Sequence, residues 1–498
     1  MDALVPTGIE GLDEILGGGL IAGTMALVEG APGAGKTTLG LQFIHHGVVA
    51  HREPGLVLTF EQVPQQLYRD ALNFGWDLRR LVQEGKLQVL FLTPDVLHRQ
   101  MSDPEEMWSG LARGATPRRV LIDSVTHLRQ LSTDEARLRA ILNALLSSMR
   151  RQGLTALLLT EMEERGGTAI PFEEYAADAV IRLTYAAAQG DAGPRQRHLE
   201  VLKTRGQEHV AGRHSFTFAA GGLRLFPRLR PKPITPPQIE RPAFLGVAGF
   251  DQLFAGGVSA TAHVMLVGDT GVGKTLASLL FLHEGLQCGE WCAFSACDEV
   301  PAMTRRTLAH FGLPTTAHER IGRLCFVDAH GRRGTGEQLA VEDPSNLDEF
   351  LNVENTLLAL LQQRADAAGG LPTAPPGLPA AGHGGAVRLC VDGMSTILAT
   401  SSYQAALDFV TAHLHNVRAR QVFSLDTYTS GTLEPRLMAN ITQQYDLVLS
   451  MRFAEVHGTP IRLGAVEKYR YGQVARQEQI FSVDPRVGLV SHKAALRG

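Results

Sequence analysis

The stretch MALVEGAPGAGKT, from Met25 to Thr37, leaves an apolar run, turns through Gly30, Gly33 and Gly35, and ends on Lys36-Thr37 at the head of a helix-like segment. A strand that passes through G-x-x-x-x-G-K-[ST] into a helix is the sequence form of a phosphate-binding loop. The glycines let successive backbone N–H groups face phosphate oxygens, and the helix N-terminus adds its positive dipole. In this reading the Lys36 ammonium reaches the β- and γ-phosphates and the Thr37 hydroxyl can ligate magnesium. Gly30, Gly33, Ala34, Gly35, Lys36, Thr37 and Thr38 therefore form a candidate ATP site with Mg2+.

The same sentence is written twice. GLDEILGGGLIAGTMALVEGAPGAGKTTLGLQFI, residues 11–44, returns as GFDQLFAGGVSATAHVMLVGDTGVGKTLASLLFL at 249–282. Gly268, Thr270, Gly271, Val272, Gly273, Lys274, Thr275 and Leu276 form the second loop, and internal repeats of this kind set the whole organisation. VLIDS and LCVDG, ending at Ser124 and Gly393, are a second matched pair. Asp123 and Asp392 each close a strand downstream of a phosphate loop, where a carboxylate can hold the magnesium shell with Thr37 or Thr275. The spacing between these landmarks is longer in the second copy, and ADAAGGLPTAPPGLPAAGHGGA, about 365–386, reads as the flexible loop that accounts for most of the difference.

Each copy alternates short apolar β-rich runs with amphipathic stretches. MALVEG, GLVLTF, LQVLFL, RVLIDS and TALLLT read as buried strands, and TTLGLQFIHHGVVA and EARLRAILNALLSSMRRQG as helices. This predicts α/β architecture: two tandem P-loop domains of the RecA-like kind, each a mainly parallel sheet flanked by helices, over 1–226 and 244–498. The Pro-rich stretch 227–243 reads as a semi-rigid linker.

With 498 residues, 44% hydrophobic and 20% charged, the chain has an ordinary globular balance. It contains no 18-residue apolar run that would span a membrane and no signal-peptide layout, so we expect a cytoplasmic protein without a membrane partner. A formal charge of −4 and the lack of an appended DNA-binding module argue against nucleic acid as a partner. The five cysteines, Cys288, Cys292, Cys297, Cys325 and Cys390, form no CxxC pair and read as reduced, mostly buried thiols rather than metal ligands.

Glu61 ends the strand GLVLTF where a carboxylate can polarise water for in-line attack on a γ-phosphate. With TFEQVPQQLYRDALNFGWDLRRLVQEGKL, VLIDSVTHL, EEYAADAVIRL and HLEVLKTRGQEH in order, the chain resembles the KaiC family of double-domain ATPases. The resemblance implies two stacked rings, usually hexameric, with ATP and magnesium between neighbouring subunits. It also implies a catalytic pair of glutamates, of which only Glu61 is present in the first domain, followed by Gln62. The family's Lys-x-Arg-Gly segment maps onto Lys203, Arg205 and Gly206, with His209 beyond, and implies side chains reaching the adjacent protomer's γ-phosphate; the alternative is a basic hairpin facing solvent.

The second copy departs further. Its carboxylates are Asp298 and Glu299, and counting from Lys274 matches Glu299 to Glu61 whereas counting from Glu290 matches Asp298. Its sensor segment is Lys468-Tyr-Arg470-Tyr-Gly472, one residue longer before the glycine and without the histidine, a departure from the family's pattern of contacts to a neighbour. The family's second domain phosphorylates an adjacent Ser-Thr pair; ANITQQYDLVLSM offers Thr442, followed by Gln443 and Gln444, and later Ser450. The last expected strand lies close to Gly498, so we expect no counterpart of the longer C-terminal tail that the resemblance implies for partner binding. The expected function is an ATP-hydrolysing ring that acts as a signalling or timing switch with a signalling protein partner, with a second-domain Ser/Thr autokinase or a DNA-processing motor as alternatives.

Overall fold

In a computed structural model of the chain, the described residues are 3–100, 116–162, 172–186, 196–228, 233–234, 242–254, 256–313, 315–330, 337, 339–368, 386–456, 459–472, 474, 477–484 and 488–492. The chain divides into two compact units, Met1–Arg228 and Leu229–Gly498.

In the first unit, β1 (Met25–Gly30), α1 (Lys36–Ala50), β2 (Gly55–Thr59), α2 (Pro64–Leu72), β3 (Leu87–Phe91), β4 (Arg119–Asp123), α3 (Glu135–Arg151) and β5 (Thr155–Glu161) follow the predicted alternation. After them come β6 (Ala179–Ala186), β7 (Gln196–Thr204), β8 (Arg213–Ala219) and β9 (Gly222–Phe226). The nine-stranded sheet runs β9-β8-β7-β6-β1-β5-β4-β2-β3. Strands β6 to β3 are parallel, while β7, β8 and β9 extend the sheet as antiparallel neighbours.

Strand β1 has both faces covered: Ala26 and Val28 enter one apolar cluster and Met25 and Leu27 the other, as a period of two requires. Such a strand reads as a continuous apolar run, so MALV carries no alternation. Helix α1 begins at Lys36 directly after Gly35, whose φ of 107° a side chain rarely adopts.

The second unit repeats the plan with β10 (His263–Gly268), α4 (Lys274–Gln287), β11 (Trp291–Ala296), α5 (Pro301–His310), β12 (Leu324–Asp328), β13 (Leu339–Ala340), α6 (Leu347–Ala368) and β14 (Val387–Asp392). There follow α7 (Tyr403–Ala419), β15 (Phe423–Thr429), α8 (Pro435–Gln444), β16 (Leu447–Val456), β17 (Thr459–Tyr469), β18 (Gln479–Asp484) and β19 (Gly488–His492). Its ten strands run β13-β12-β11-β14-β15-β10-β16-β17-β18-β19. The two sheets are therefore mainly parallel α/β sheets of the expected RecA-like class.

Two details correct the expected boundaries. Helix α6 continues to Ala368, so the first residues assigned to the flexible loop are helical; 369–385 lie outside the described residues. Pro242–Ala243, counted at the end of the linker, pairs antiparallel with Val258–Ser259, as Leu4–Val5 pairs with Leu20–Ile21 in the first unit. Most of the linker also lies outside the described residues.

The second core is more polar. His413 is fully buried, with Nδ1 2.6 Å from Glu354 Oε2 and Nε2 3.0 Å from Asp426 Oδ2, and the Tyr445 hydroxyl donates to the same Asp426 oxygen at 2.7 Å. Burial alone would lower the His413 pKa, but Glu354 and Asp426 raise it well above the usual histidine range. At the register position of Asp426, the first unit has the apolar Leu158. No helix among the described residues is long and apolar enough to cross a membrane.

Candidate functional site

Ligands of open α/β sheets bind beyond the carboxyl ends of the parallel strands. Here β1 delivers the first glycine loop and β4, two strands away, delivers Asp123. Thr37 Oγ1 donates to Asp123 Oδ2 at 2.7 Å, and Lys36 Nζ donates to the carbonyls of Gly30 at 2.8 Å and Ala31 at 3.1 Å. Lys36 thus folds over its own loop. Burial lowers its pKa against the opposing pull of Glu161, Asp123 and Glu61. Burial likewise raises that of Asp123, against the hydroxyl of Thr37 and the charge of Lys36.

A cleft of about 310 Å³ opens beside this loop, lined by Gly33, Gly35, Lys36, Thr37, Thr38 and Gln62 and floored by Phe74, Trp76 and Phe218. Phe218 Cζ lies 2.7 Å from where a Cβ on Gly35 would stand. Glu61 is exposed, with Oε2 3.8 Å from His127 Nε2.

The second loop repeats the geometry. Lys274 Nζ donates to the carbonyls of Gly268 at 2.9 Å and Asp269 at 3.0 Å, and Gly271 and Gly273 have φ of 77° and 114°. Asp392 is bonded by Thr275, by Thr427 Oγ1 at 2.9 Å and by Ser278 Oγ at 3.4 Å, and burial raises its pKa. Val272 is wholly buried and Leu276 nearly so, so both act as packing under the loop. Beside them, Asp298 Oδ1 accepts from the Thr396 hydroxyl and lies against Gly393, where a Cβ would stand 2.5 Å from it.

Ladder bonds decide the open register. The Phe60 N–H donates to the Asp123 carbonyl at 3.0 Å and the Cys297 N–H to the Asp392 carbonyl at 3.1 Å. Asp298 therefore stands where Glu61 stands, and Glu299 where Gln62 stands. Both Asp298 and Glu61 act electrostatically on the loop lysine of their own domain.

Neither Lys203, Arg205 nor His209 lines the cleft at Lys36. Lys203 Nζ donates to the carbonyls of Glu174 at 2.9 Å and Ala177 at 2.8 Å, and Arg205 Nη2 to that of Tyr175 at 3.0 Å. His209 Nδ1 lies 2.9 Å from Thr204 Oγ1, within the hairpin. Despite its inserted residue, the second sensor segment takes the same pose. Lys468 Nζ donates to the carbonyls of Thr442 at 3.1 Å, Gln443 at 2.9 Å and Tyr445 at 2.6 Å, and Arg470 Nη2 to Gln443 at 3.1 Å. A cation on the last carbonyls of α8 is favourable in itself.

Sequence reasoning passed over Asp178 and Asp446. Each accepts the first N–H of the loop strand, from Met25 at 3.0 Å and His263 at 3.2 Å, and each lies beside the hairpin arginine, Arg205 at 3.9 Å and Arg470 at 3.3 Å. The signal was the aspartate opening a strand in both AADAV and QYDLV. Thr442 donates its hydroxyl to the Met438 carbonyl at 2.7 Å, inside its own helix. Cys292, Cys297 and Cys390 are buried thiols whose pKa burial pushes up.

A family profile described as "ATPase: KaiC" matches residues 5–230 and 244–359. A Circadian clock oscillator protein KaiC of Picosynechococcus sp. is 34% identical over 70% of this chain and 68% of its own length. Its namesake in Parathermosynechococcus lividus is 32% identical over 65% of this chain and 61% of its own length. That of Prochlorococcus marinus (strain MIT 9313) is 26% identical over 94% and 88%. The chain thus spans less than two thirds of the Parathermosynechococcus relative.

Proposed function

The chain belongs to the KaiC ATPase family, and from that premise we propose that it binds ATP with magnesium at both phosphate loops, hydrolyses it, and assembles into a ring. The observation that carries the reading is the Thr37–Asp123 bond of 2.7 Å beside a lysine folded on its own loop, repeated by Thr275, Asp392 and Lys274. A hydroxyl and a carboxylate are hard oxygen donors and fit Mg2+, which takes few protein ligands and completes its shell with phosphate and water. Thr37 with Asp123, and Thr275 with Asp392, would hold the ion, which neutralises charge developing on the phosphates when bound.

The protein's own groups do the rest. Lys36 exchanges its two carbonyls for phosphate oxygens, and the glycine loop encloses those oxygens with backbone N–H groups. Glu61, exposed at the strand end, orients a water for in-line attack and takes its proton. Asp298 occupies that place in the second domain. Lys203 and Arg205, held away from their own loop, are offered to a neighbour's γ-phosphate, which couples turnover to assembly. A hexamer and a role as a signalling or timing switch with a protein partner follow from the family and complete the proposal.

Mass by light scattering with and without Mg-ATP, together with phosphate release, tests this. A single unchanged mass removes the ring, and no phosphate release above a Lys36→Ala, Lys274→Ala control removes the ATPase.

A further inference from the structure

Glu29 immediately precedes the first loop glycine and is only 3% exposed, an unusual place for an acid in an otherwise apolar strand. Across the ladder it is paired with Arg182 of β6, and Arg182 Nε donates to Glu29 Oε1 at 2.5 Å. Glu174 completes the cluster. Arg182 Nη2 is 3.8 Å from Glu174 Oε1, so the guanidinium bridges the two carboxylates. Burial, then the charge of Glu29, raises the Glu174 pKa.

The backbone of Glu174 is the perch of Lys203, whose ammonium takes the Glu174 carbonyl at 2.9 Å. Glu29 is bonded through one peptide link to Gly30, whose carbonyl holds Lys36 at 2.8 Å. Two ammonium groups with different destinations thus hang on one short chain of contacts, Lys36–Gly30–Glu29–Arg182–Glu174–Lys203.

The second domain provides the contrast. Asp178 and Asp446 fix the register, since their N–H groups donate to the carbonyls of Met25 at 2.9 Å and His263 at 3.0 Å. By that register Glu29, Arg182 and Glu174 correspond to Val267, Ser450 and Thr442, so the perch of Lys468 is kept and its tie to the loop strand is the uncharged contact of Thr442 Oγ1 with Met265 Sδ at 3.7 Å.

We propose that Glu29, through Arg182 and Glu174, is a positioning residue that ties the first domain's neighbour-directed Lys203 to the state of that subunit's own phosphate loop, a charged link replaced in the second domain by Val267, Ser450 and Thr442. This rests on the reading that Lys203 acts on a neighbour. Glu29 touches no nucleotide. It sets where the Glu174 carbonyl stands, and so whether Lys203 is held back or released when Lys36 leaves Gly30.

The test uses the full chain, with Glu29→Val, which installs the second domain's residue, Glu29→Gln, which keeps the shape, Lys203→Ala and the pairs. The readouts are fluorescent ATP-analogue affinity, ATP-dependent mass and the phosphate release that Lys36→Ala abolishes. Expected for both Glu29 variants are affinity and assembly within about twofold of wild type, turnover changed by about tenfold, and no further change when Lys203→Ala is added. Wild-type turnover in both Glu29 variants overturns the tether, as does a double variant whose loss is the product of the single ones. Loss of affinity and assembly in step with turnover makes Glu29 merely structural and also overturns it. Wild-type turnover in Lys203→Ala removes the neighbour-directed reading itself, and the tether with it.

Discussion

The Cys297 N–H donates to the Asp392 carbonyl at 3.1 Å. The bond sets Asp298 in register with Glu61, and Asp298 lies against Gly393 and acts electrostatically on Lys274, while Glu299 is exposed one residue further on. We expect Asp298→Asn to lower the Lys274-dependent phosphate release by about a hundredfold and Glu299→Gln by less than about threefold, the usual scale for a general base against a neighbour. Equal losses, measured by phosphate release on the two purified variants, would reverse the assignment.

The glycines of the loop are not equivalent. Gly35 has φ 107° and Phe218 at 2.7 Å from its absent Cβ, whereas Gly33 has φ 77° and open space. Gly33→Ala should carry only left-handed strain of about 1–2 kcal/mol, roughly a tenfold loss of ATP affinity if the loop must hold that shape to bind. Gly35→Ala adds displacement of Phe218 and should weaken binding further. Titration with a fluorescent ATP analogue orders the two.

In each unit a buried arginine bonds a carbonyl of the loop helix, Arg119 that of Phe43 and Arg388 that of Phe281. Arg119 Nε meets Glu53 at 2.5 Å and Arg388 Nε meets Glu290 at 2.6 Å, both arginines being 1% exposed; the Glu53 side chain is 30% exposed and that of Glu290 8%. Removing one partner strands the other. Arg388→Met should therefore cost about 3–5 kcal/mol, the scale for an uncompensated buried charge, and Arg119→Met less, because Glu53 can turn to water. Denaturant unfolding followed separately for the two transitions checks the order.

Asp251 accepts the Leu245 N–H at 2.7 Å, and burial, outweighing that bond and the one from Gly246, raises its pKa to about 6. A raised carboxyl pKa means that the folded state holds the proton more tightly than the unfolded chain. Its ionisation therefore costs stability as pH rises from the ordinary carboxylate value to about 6, and the cost is constant above that. The size is about 3 kcal/mol at full ionisation. Asp251→Asn should flatten that part of the second domain's stability profile; an unchanged slope across it would show that Asp251 titrates normally.

The parallel cores were legible because strands such as MALV and VLID, buried on both faces, announce themselves as short apolar runs between turn signals. The loop residues Lys36 and Lys274 were legible because phosphate geometry dictates their spacing. Glu61's counterpart was not: one residue missing between Lys274 and the strand end left two counts open, and only ladder bonds distinguish Asp298 from Glu299. The carbonyl contacts of Lys468 and Arg470 were not legible either, because a Lys-x-Arg spacing says which side chains share a strand face and nothing of the helix end they meet. Asp178 and Asp446 escaped notice because an acid at a strand start reads as a turn residue until its N–H partners are seen. The start of the expected loop at 365 proved helical because Ala365 and its neighbours continue the buried stripe of α6.

Asp426 and His413 stand in a core whose counterpart holds Leu158 and its apolar neighbours. Like a matched pair of specimens, the two halves share the plan of strand, loop and helix while differing in what fills the middle. A raised histidine pKa contributes stability at pH below its unfolded value and gives it up as pH climbs through the folded one. Rising pH therefore removes from the second core a contribution that Leu158 cannot make in the first. Each molecule carries its own blank, and what solvent or heat does to the common scaffold can be subtracted from what the exchanged side chains alone bring about.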